Sequence, residues 1–231
     1  MPNFINRLTR SGLDLVFPLE CLACHAGGRL LCPNCTADFP RLEPPFCPLC
    51  AEPGSSQKCD WCAANQPAID GIRAPFLMLG TIREAVHRFK YRNLRAAAPE
   101  LAGLLADYLA GHPMPGQVIV PVPLHRRRLR SRGYNQAKLL AAELSKITGL
   151  PMNDGVLTRS VDSMPQVQAS NRRERAANVA QSFQCPVSTG GLEVLLVDDV
   201  TTTGSTLSAC AKALKDAGAV SVWGLALTKE A

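Results

Sequence analysis

The chain has 231 residues, of which 46% are apolar, and it carries a formal net charge of +6 at pH 7. This length allows one or two domains, and the apolar fraction is sufficient for a core of ordinary size, so we expect the chain to fold. No run of 18 apolar residues occurs and charged residues interrupt the first 18 positions, which argues against a membrane span or a secretory signal and favours a cytoplasmic protein.

Cysteine pairs dominate the first quarter of the chain, after a short helix predicted over residues 3–16 by its apolar spacing. Eight of the ten cysteines form four Cys-x-x-Cys pairs. Two intervening residues let both thiolates of a pair reach one tetrahedral ion, so in a reducing compartment four pairs predict two structural zinc ions rather than disulfides. The expected ligands are Cys21, Cys24, Cys32, Cys35, Cys47, Cys50, Cys59 and Cys62.

The spacing of the pairs favours sequential ligation. Gaps of seven and eight residues within the sets 21–35 and 47–62 suit two consecutive ribbons, and interleaved, cross-braced ligation is the alternative. His25 is interpreted as an exposed neighbour of the first site, because four thiolates already fill a tetrahedral shell. Cys210 lies in an apolar helical pattern and is interpreted as a core residue.

The remaining chain alternates between strand and helix patterns, which predicts a zinc module over residues 1–66 and an α/β domain over residues 67–231. Strands are expected at about 72–78, 117–121, 156–158, 193–197 and 220–228. Helices are expected at about 81–91, 96–110, 134–148 and 205–217. This alternation favours a parallel sheet with helices on both faces.

Positive charge is concentrated in the second part of the chain. Residues 1–66 carry 5 Lys and Arg against 6 Asp and Glu, whereas residues 123–180 carry 11 against 4. Five arginines fall within seven residues, at Arg126, Arg127, Arg128, Arg130 and Arg132. Such a run is either a solvated basic face or a surface that binds phosphate groups.

The string VDDVTTTGST follows an apolar strand and opens a helix. Asp198 and Asp199 are good acceptors for neutral hydroxyls such as a ribose diol. The loop after them combines free N–H groups, a helix N-terminus and hydroxyls, which suits a phosphate. Diol and phosphate together indicate a ribose 5-phosphate, bound by Asp198, Asp199, Thr202, Thr203, Gly204, Ser205 and Thr206. A Walker loop and a GxGxxG fingerprint are both absent from the sequence.

The string VLLVDDVTTTGSTL resembles the phosphoribosyl pyrophosphate (PRPP) signature of type I phosphoribosyltransferases. With the cysteine pairs, FKYR, VPVPLHRRRLRSRGYNQAKLLA and RRERAANV, nearly the whole chain resembles the ComF family, which joins a double zinc ribbon to such a domain. The resemblance therefore implies a double zinc ribbon followed by a type I phosphoribosyltransferase-like sheet that binds PRPP with Mg²⁺.

The resemblance also implies roles for particular residues. The turn of Val120, Pro121, Val122 and Pro123 would handle pyrophosphate. A lid over residues 162–177 would close the site, with Gln166, Arg175 and Asn178 as further candidates. A basic, partly aromatic surface would bind single-stranded DNA through Lys90, Arg126, Arg127, Arg128, Arg130, Arg132 and Tyr134.

Two functions follow from these expectations, and a third possibility, a PRPP-sensing regulator, shares the same site but predicts sequence-specific binding to duplex DNA. In the first, the chain is a PRPP-binding protein of DNA uptake in natural transformation, with single-stranded DNA and import machinery such as a ComFA-type helicase as partners. In the second, it is an active phosphoribosyltransferase with an unknown acceptor. The sequence supplies no clear general base, because no acid follows Asp199 in the loop, where Thr202 stands at the position of an acid in some purine-salvage relatives. Orotate-type relatives also lack that acid and are enzymes, so both readings stay open.

Overall fold

The structure of the chain is a computed structural model that describes residues 19–92, 94–159 and 182–230. The predicted helix over 3–16 and the expected lid over 162–177, with Gln166, Arg175 and Asn178, lie outside these residues. None of the described helices is long and apolar enough to cross a membrane.

Two cysteine-bearing ribbons precede the sheet. Ribbon 1 (residues 19–39) has an antiparallel bridge between Glu20 and Gly27, and ribbon 2 (residues 46–65) has one between Phe46 and Pro53. The third cysteine of each ribbon begins a short helix. These helices are α1 (Pro33–Ala37) in ribbon 1 and α2 (Asp60–Asn65) in ribbon 2.

The rest of the described chain alternates between strands and helices. The strands are β1 (Gly71–Arg73), β2 (Phe76–Leu77), β3 (Val118–Pro121), β4 (Thr158–Arg159), β5 (Phe183–Gln184), β6 (Glu193–Thr201) and β7 (Ser221–Lys229). The α-helices are α3 (Gly80–Tyr91), α4 (Ala98–Gly111), α5 (Arg126–Arg132), α6 (Gln136–Thr148) and α7 (Ser205–Asp216), and a 3-10 turn at Arg95–Ala97 precedes α4.

The main sheet is parallel, with strand order β1-β7-β6-β3 and with β2 also paired to β7. The strand predicted over 72–78 is thus two strands on one edge. Pro75 lies between them and has no N–H to give to the ladder, so the pairing stops there. Its carbonyl instead accepts from Leu42 N at 3.0 Å.

Side chains of β6 alternate between two apolar clusters, one on each face of the sheet. Leu195 and Val197 pack with residues of α3, α4 and α6. Val194 and Leu196 pack with Leu207 and other residues of α7. Since successive side chains of a strand point to opposite faces of the sheet, this pattern confirms a sheet covered by helices on both sides. Cys210 is fully buried in the second cluster, as predicted.

Several boundaries differ from the sequence prediction. Strand β6 continues to Thr201, four residues beyond the predicted end, because Val200 and Thr201 still pair with β7. The arginine run forms helix α5, which was not predicted and which ends at Gly133 with φ 77°. Helix α6 begins at Gln136 rather than residue 134, because the side chain of Asn135 caps it by accepting from Ala137 N.

Candidate functional site

The eight predicted zinc ligands form two clusters. The sulfur atoms of Cys21, Cys24, Cys32 and Cys35 lie within 4.8 Å of one another, and so do those of Cys47, Cys50, Cys59 and Cys62. A tetrahedral ion with Zn–S bonds of about 2.3 Å places its sulfur ligands about 3.8 Å apart. The Cys24–Cys32 and Cys50–Cys59 sulfurs are each separated by 3.6 Å. The donor sets fit two four-thiolate zinc ions, and ligation is sequential rather than cross-braced.

The protonation chemistry of the thiols also favours a cation. Burial acts to raise the pKa of Cys21, but backbone N–H groups of Cys24 and Cys32 donate to its sulfur and lower the pKa to about 6. The corresponding effects lower the pKa of Cys47 to about 7. Burial and the charge of that thiolate help to raise the pKa of Cys50 to about 12. Four thiolates cannot share this space without a cation among them.

Ribbon 1 is attached to helices α3 and α4. Glu100 Oε2 accepts from Leu31 N at 2.6 Å. Arg88 Nη2 lies 2.7 Å from His25 Nε2, and because a guanidinium only donates, the ring nitrogen is the acceptor. His25 is exposed and faces Arg88 and Glu20, as its interpretation beside the site predicted.

Asp198 and Asp199 lie inside β6 rather than beyond its end. Asp199 is only 7% exposed, and its backbone N–H donates to Asp198 Oδ1 at 2.9 Å. Lys90 Nζ, at the end of α3, lies 3.4 Å from Asp199 Oδ2. That oxygen is buried, and within the described part of the chain it has no hydrogen-bond partner besides this ion pair.

The carboxyl group of Asp198 is harder to ionise than an exposed one. Burial, together with the charge of Asp199, raises the pKa of Asp198 to about 8, while the Asp199 N–H and the ammonium of Lys90 oppose this rise. A ligand that donates hydroxyl hydrogen bonds to the pair, or that brings a cation, stabilises the ionised form and lowers this pKa.

The hydroxyl-rich loop joins β6 to the N-terminus of α7. Gly204 caps this helix with φ 76°, in the left-handed region. Thr203 Oγ1 lies 2.6 Å from Ser205 Oγ and accepts from Ser205 N at 3.3 Å. Thr202, Thr203, Ser205 and Thr206 are exposed or partly exposed, so their donors are accessible at the positive end of a twelve-residue helix.

The turn proposed to handle pyrophosphate lies at the end of β3, beside the end of β6. Val120 and Pro121 pair with Leu196 and Val197. The next residue, Val122, donates its N–H to Val197 O at 3.0 Å and accepts from Asn135 Nδ2 at 2.9 Å. Val120, Pro121 and Val122 are buried, and Pro123 is partly exposed. The turn is therefore fixed at the same carboxyl edge of the sheet as the acid pair.

A basic cavity of about 750 Å³ lies beside Lys90. It is lined by Lys90, Tyr91, Arg95, Arg128, Arg130, Ser131, Arg132 and Gly133. Four of the predicted basic residues thus share one cavity. Arg126 and Arg127 are exposed on the same helix but do not line it.

Tyr134 is a correction to the predicted surface. It is 5% exposed, its hydroxyl donates to Phe89 O, and its ring packs against Phe89, so it cannot stack on a base from the surface. Beside the basic cavity, Tyr91 is an accessible aromatic residue, since it is 58% exposed, and its ring lies 4.9 Å from the guanidinium of Arg132.

Arg95 was missed by the sequence analysis. Its guanidinium lies 5.1 Å over the Tyr134 ring and donates to Gly133 O at 2.7 Å, which supports one wall of the basic cavity. Its position three residues after FKYR was the available signal.

Residues 12–66 match the Double zinc ribbon domain family. Competence protein F of Haemophilus influenzae is 31% identical to this chain over 91% of it and 97% of the relative. DNA utilization protein YhgH of Salmonella typhi is also 31% identical, over 96% and 99%. Competence protein ComFC of Bacillus subtilis is 25% identical, over 81% and 79%.

Among solved structures, the glutamine PRPP amidotransferase from B. subtilis aligns with 62% of this chain and 30% of its own, at 18% identity and a TM-score of 0.43. The molecule is a double zinc ribbon followed by a parallel sheet with helices on both faces, which confirms the predicted double ribbon and the predicted α/β sheet. The chain belongs to the ComF family, as the resemblance indicated.

Proposed function

We propose that this chain is a PRPP-binding protein of DNA uptake that also binds single-stranded DNA. Relatives named for competence and for DNA utilization support the process, and they match nearly the whole chain. The contact of Lys90 with Asp199 supports the site, because it joins the acid pair to the basic cavity.

In the proposed complex, each part of PRPP meets a group of matching chemistry. The carboxylates of Asp198 and Asp199 accept from the ribose hydroxyls, and the loop from Thr202 to Thr206 donates to the 5-phosphate. The turn at Val120 to Pro123 and the Lys90 ammonium face the pyrophosphate. Mg²⁺ arrives with that pyrophosphate and neutralises its charge.

In the proposed DNA complex, the cavity arginines contact backbone phosphates and Tyr91 stacks on a base. The arginine cluster supplies charge without sequence preference, and an exposed tyrosine supplies a face that every base can use. Import machinery such as a ComFA-type helicase is the proposed protein partner, on the strength of the competence-named relatives.

The second candidate is an active phosphoribosyltransferase. The observation that favours it is the position of the basic cavity, which begins at Lys90 and so lies next to the acid pair, where an acceptor could reach the sugar. No catalytic residue is assigned, because no described side chain is placed as a general base.

Calorimetry with PRPP and Mg²⁺, followed by a salt titration with a labelled oligonucleotide, tests the proposal. We expect PRPP binding that Asp199→Asn weakens. We also expect single-strand affinity to fall with salt, with a slope of about −0.7 for each phosphate neutralised.

Arginine pairs on one helix provide the matched control. Replacing Arg128 and Arg130 by alanine should flatten the salt slope by up to about 1.4, whereas the same change at Arg126 and Arg127, outside the cavity, should flatten it less. The transferase would be favoured by two results together. PRPP binds and releases pyrophosphate when an acceptor is added, and single-stranded DNA does not bind at about 150 mM salt. No PRPP binding would reject both.

A further inference from the structure

Ribbon 2 packs directly against the hydroxyl-rich loop. A Cβ atom placed on Gly204 would lie 3.5 Å from Cys50 Cβ and 2.6 Å from Ile72 Cδ1. The loop backbone thus lies within van der Waals contact of a zinc-ligand residue, and the clash that favours glycine at this position is with Ile72 of β1. Cys50 is 1% exposed at this contact.

A half-buried ion pair joins ribbon 2 to β7, the strand that pairs with β6 just before the loop. Lys229 Nζ lies 2.9 Å from Glu52 Oε2, and the Lys229 side chain is only 1% exposed. Lys229 is the register partner of Thr201, the last residue of β6 before the loop. Glu230 N also donates to Thr201 O at 2.8 Å, so the base of the loop is bound on this side.

Apolar packing continues the contact on the far side of the loop. Ala51, which follows Cys50, is fully buried. It shares one apolar cluster with Ile72 and with Leu207 in the first turn of α7. Ribbon 2 therefore contacts Gly204 in the loop and Lys229 beside the start of the loop, and it shares an apolar cluster with Leu207 after the loop.

We propose that ribbon 2 holds the hydroxyl-rich loop in its binding conformation, with Cys50, Glu52 and Lys229 as positioning residues. Zinc in ribbon 2 and a sugar phosphate in the loop then each stabilise the other. This inference rests on the proposed function, because it requires the loop to bind a phosphate.

Zinc fixes the backbone around Cys50 and Glu52, since small modules with a structural zinc site are folded with the ion bound and unfolded without it. Without it, the loop loses the surface that supports Gly204 and the partner of Lys229. Linkage is reciprocal, so any factor by which zinc raises sugar-phosphate affinity is also the factor by which sugar phosphate raises zinc affinity. Ribbon 1, which contacts α3 and α4, has no such coupling in the proposal.

The test measures release of zinc from the full chain into 4-(2-pyridylazo)resorcinol, with and without ribose 5-phosphate. This probe needs no Mg²⁺, so the chelator acts on zinc alone. We expect one of two zinc equivalents to leave about tenfold more slowly when the sugar phosphate is saturating, and the other to leave at an unchanged rate. In Cys24→Ser, which removes a ligand of ribbon 1, the protected equivalent should remain.

Glu52→Gln tests the ion pair while keeping all eight thiols. We expect two bound zinc ions, ribose 5-phosphate affinity about five- to twentyfold weaker, and less than threefold protection of zinc. The charge-matched control is Asp216→Asn, which breaks an exposed 2.7 Å ion pair with Lys212 at the other end of α7. It should behave like the wild type.

The outcomes separate the two proposals. If calorimetry shows that ribose 5-phosphate binds while both zinc equivalents leave at unchanged rates, this inference is wrong and the proposed function stands. If the sugar phosphate does not bind, both fail. Should Glu52→Gln not fold, the release rates of the wild type and of Cys24→Ser still decide.

Discussion

The two ribbons have the same ligand pattern but different surroundings. In each, the third cysteine begins a short helix, at Cys32 in ribbon 1 and at Cys59 in ribbon 2. The second ligand, however, is exposed in ribbon 1, at Cys24, and buried against Gly204 in ribbon 2, at Cys50. The same kind of zinc module thus lies against helices in ribbon 1 and against the hydroxyl-rich loop in ribbon 2.

As a result, the two ribbons pack against different elements that flank Asp198 and Asp199. Ribbon 1 packs on α3, whose last turn carries Lys90, the partner of Asp199. Ribbon 2 packs on the loop that follows Asp199. Because zinc sites are rigid, each can support one wall of the site, but only ribbon 2 touches the proposed ligand-binding backbone.

The largest expected effect comes from removing one ligand in each ribbon at the matched second position. Cys50→Ser and Cys24→Ser should each lower the zinc content from two to one, because structural zinc contributes about 10–16 kcal/mol to small modules and a lost thiolate removes much of that. Ribose 5-phosphate affinity should fall by about thirtyfold or more in Cys50→Ser and by less than about threefold in Cys24→Ser. Elemental analysis and calorimetry measure both quantities, and equal losses of affinity would remove the distinction.

Gly204→Ala should be the next largest change. The new Cβ meets Ile72 Cδ1 at 2.6 Å and forces alanine to φ 76°, so we expect a loss of about 2–4 kcal/mol in the free energy of unfolding. Gly103→Ala is the control, since no atom of the described residues lies within 4 Å of its Cβ position in α4. It should leave stability unchanged or raise it by up to about 1 kcal/mol.

Urea unfolding measures these differences. Adding Ile72→Val to Gly204→Ala should recover part of the loss, because it removes the clashing methyl group. A double variant as unstable as the sum of the two single variants would contradict the close contact between loop and sheet edge.

The sequence predicted what depends on local geometry. Both zinc sites follow from four short Cys-x-x-Cys turns, and most strands and helices follow from periodic apolar residues. The strand predicted over 72–78 ran through Pro75, although a residue that lacks an N–H signals a break in a strand. Tyr134 was misjudged because its burial against Phe89 arises from the packing of α3 on the start of α6, which no spacing within RGYNQ reveals.

The contact between Cys50 and Gly204 could not be predicted for a similar reason. More than 150 residues separate the two positions, and they meet beside Ile72 of β1, which shares the partner β7 with β6. The domain division at residues 66 and 67 stays a prediction, as do the roles of the individual site residues.

The pH dependence of ligand binding should show what the Lys90 side contributes. Because the pKa of Asp198 is raised to about 8, ribose 5-phosphate affinity that needs both carboxylates ionised should fall by about tenfold for each pH unit below 8. Lys90→Met removes a cation that lowers this pKa, so its affinity profile should move to higher pH. Asp198→Asn is the control, since it retains only the titration of the phosphate itself.

The raised pKa of Asp198 also determines whether folding stability rises or falls with pH. A carboxyl group that is harder to ionise when folded stabilises the fold below its ordinary pKa of 3.8, and this contribution declines as the pH rises towards 8.

Calorimetry between pH 6 and pH 8.5 measures the ribose 5-phosphate affinities of the wild type and the variants. A Lys90→Met profile shifted to lower pH would contradict the assigned contact with Asp199.

The smallest effect is expected at His25, where ribbon 1 meets α3 through exposed polar groups. The His25 side chain is 57% exposed, and Arg88 keeps a second partner in Glu84 at 2.8 Å, so His25→Ala leaves no buried group unpaired. Exposed contacts of this kind contribute up to about 1 kcal/mol, and we expect a loss no larger than that, with two zinc ions retained and ribose 5-phosphate affinity unchanged. Urea unfolding, elemental analysis and calorimetry on one preparation measure all three. A loss of affinity comparable to that of Glu52→Gln would show that ribbon 1 is coupled to the ligand as strongly as ribbon 2, with α3 and Lys90 as the route.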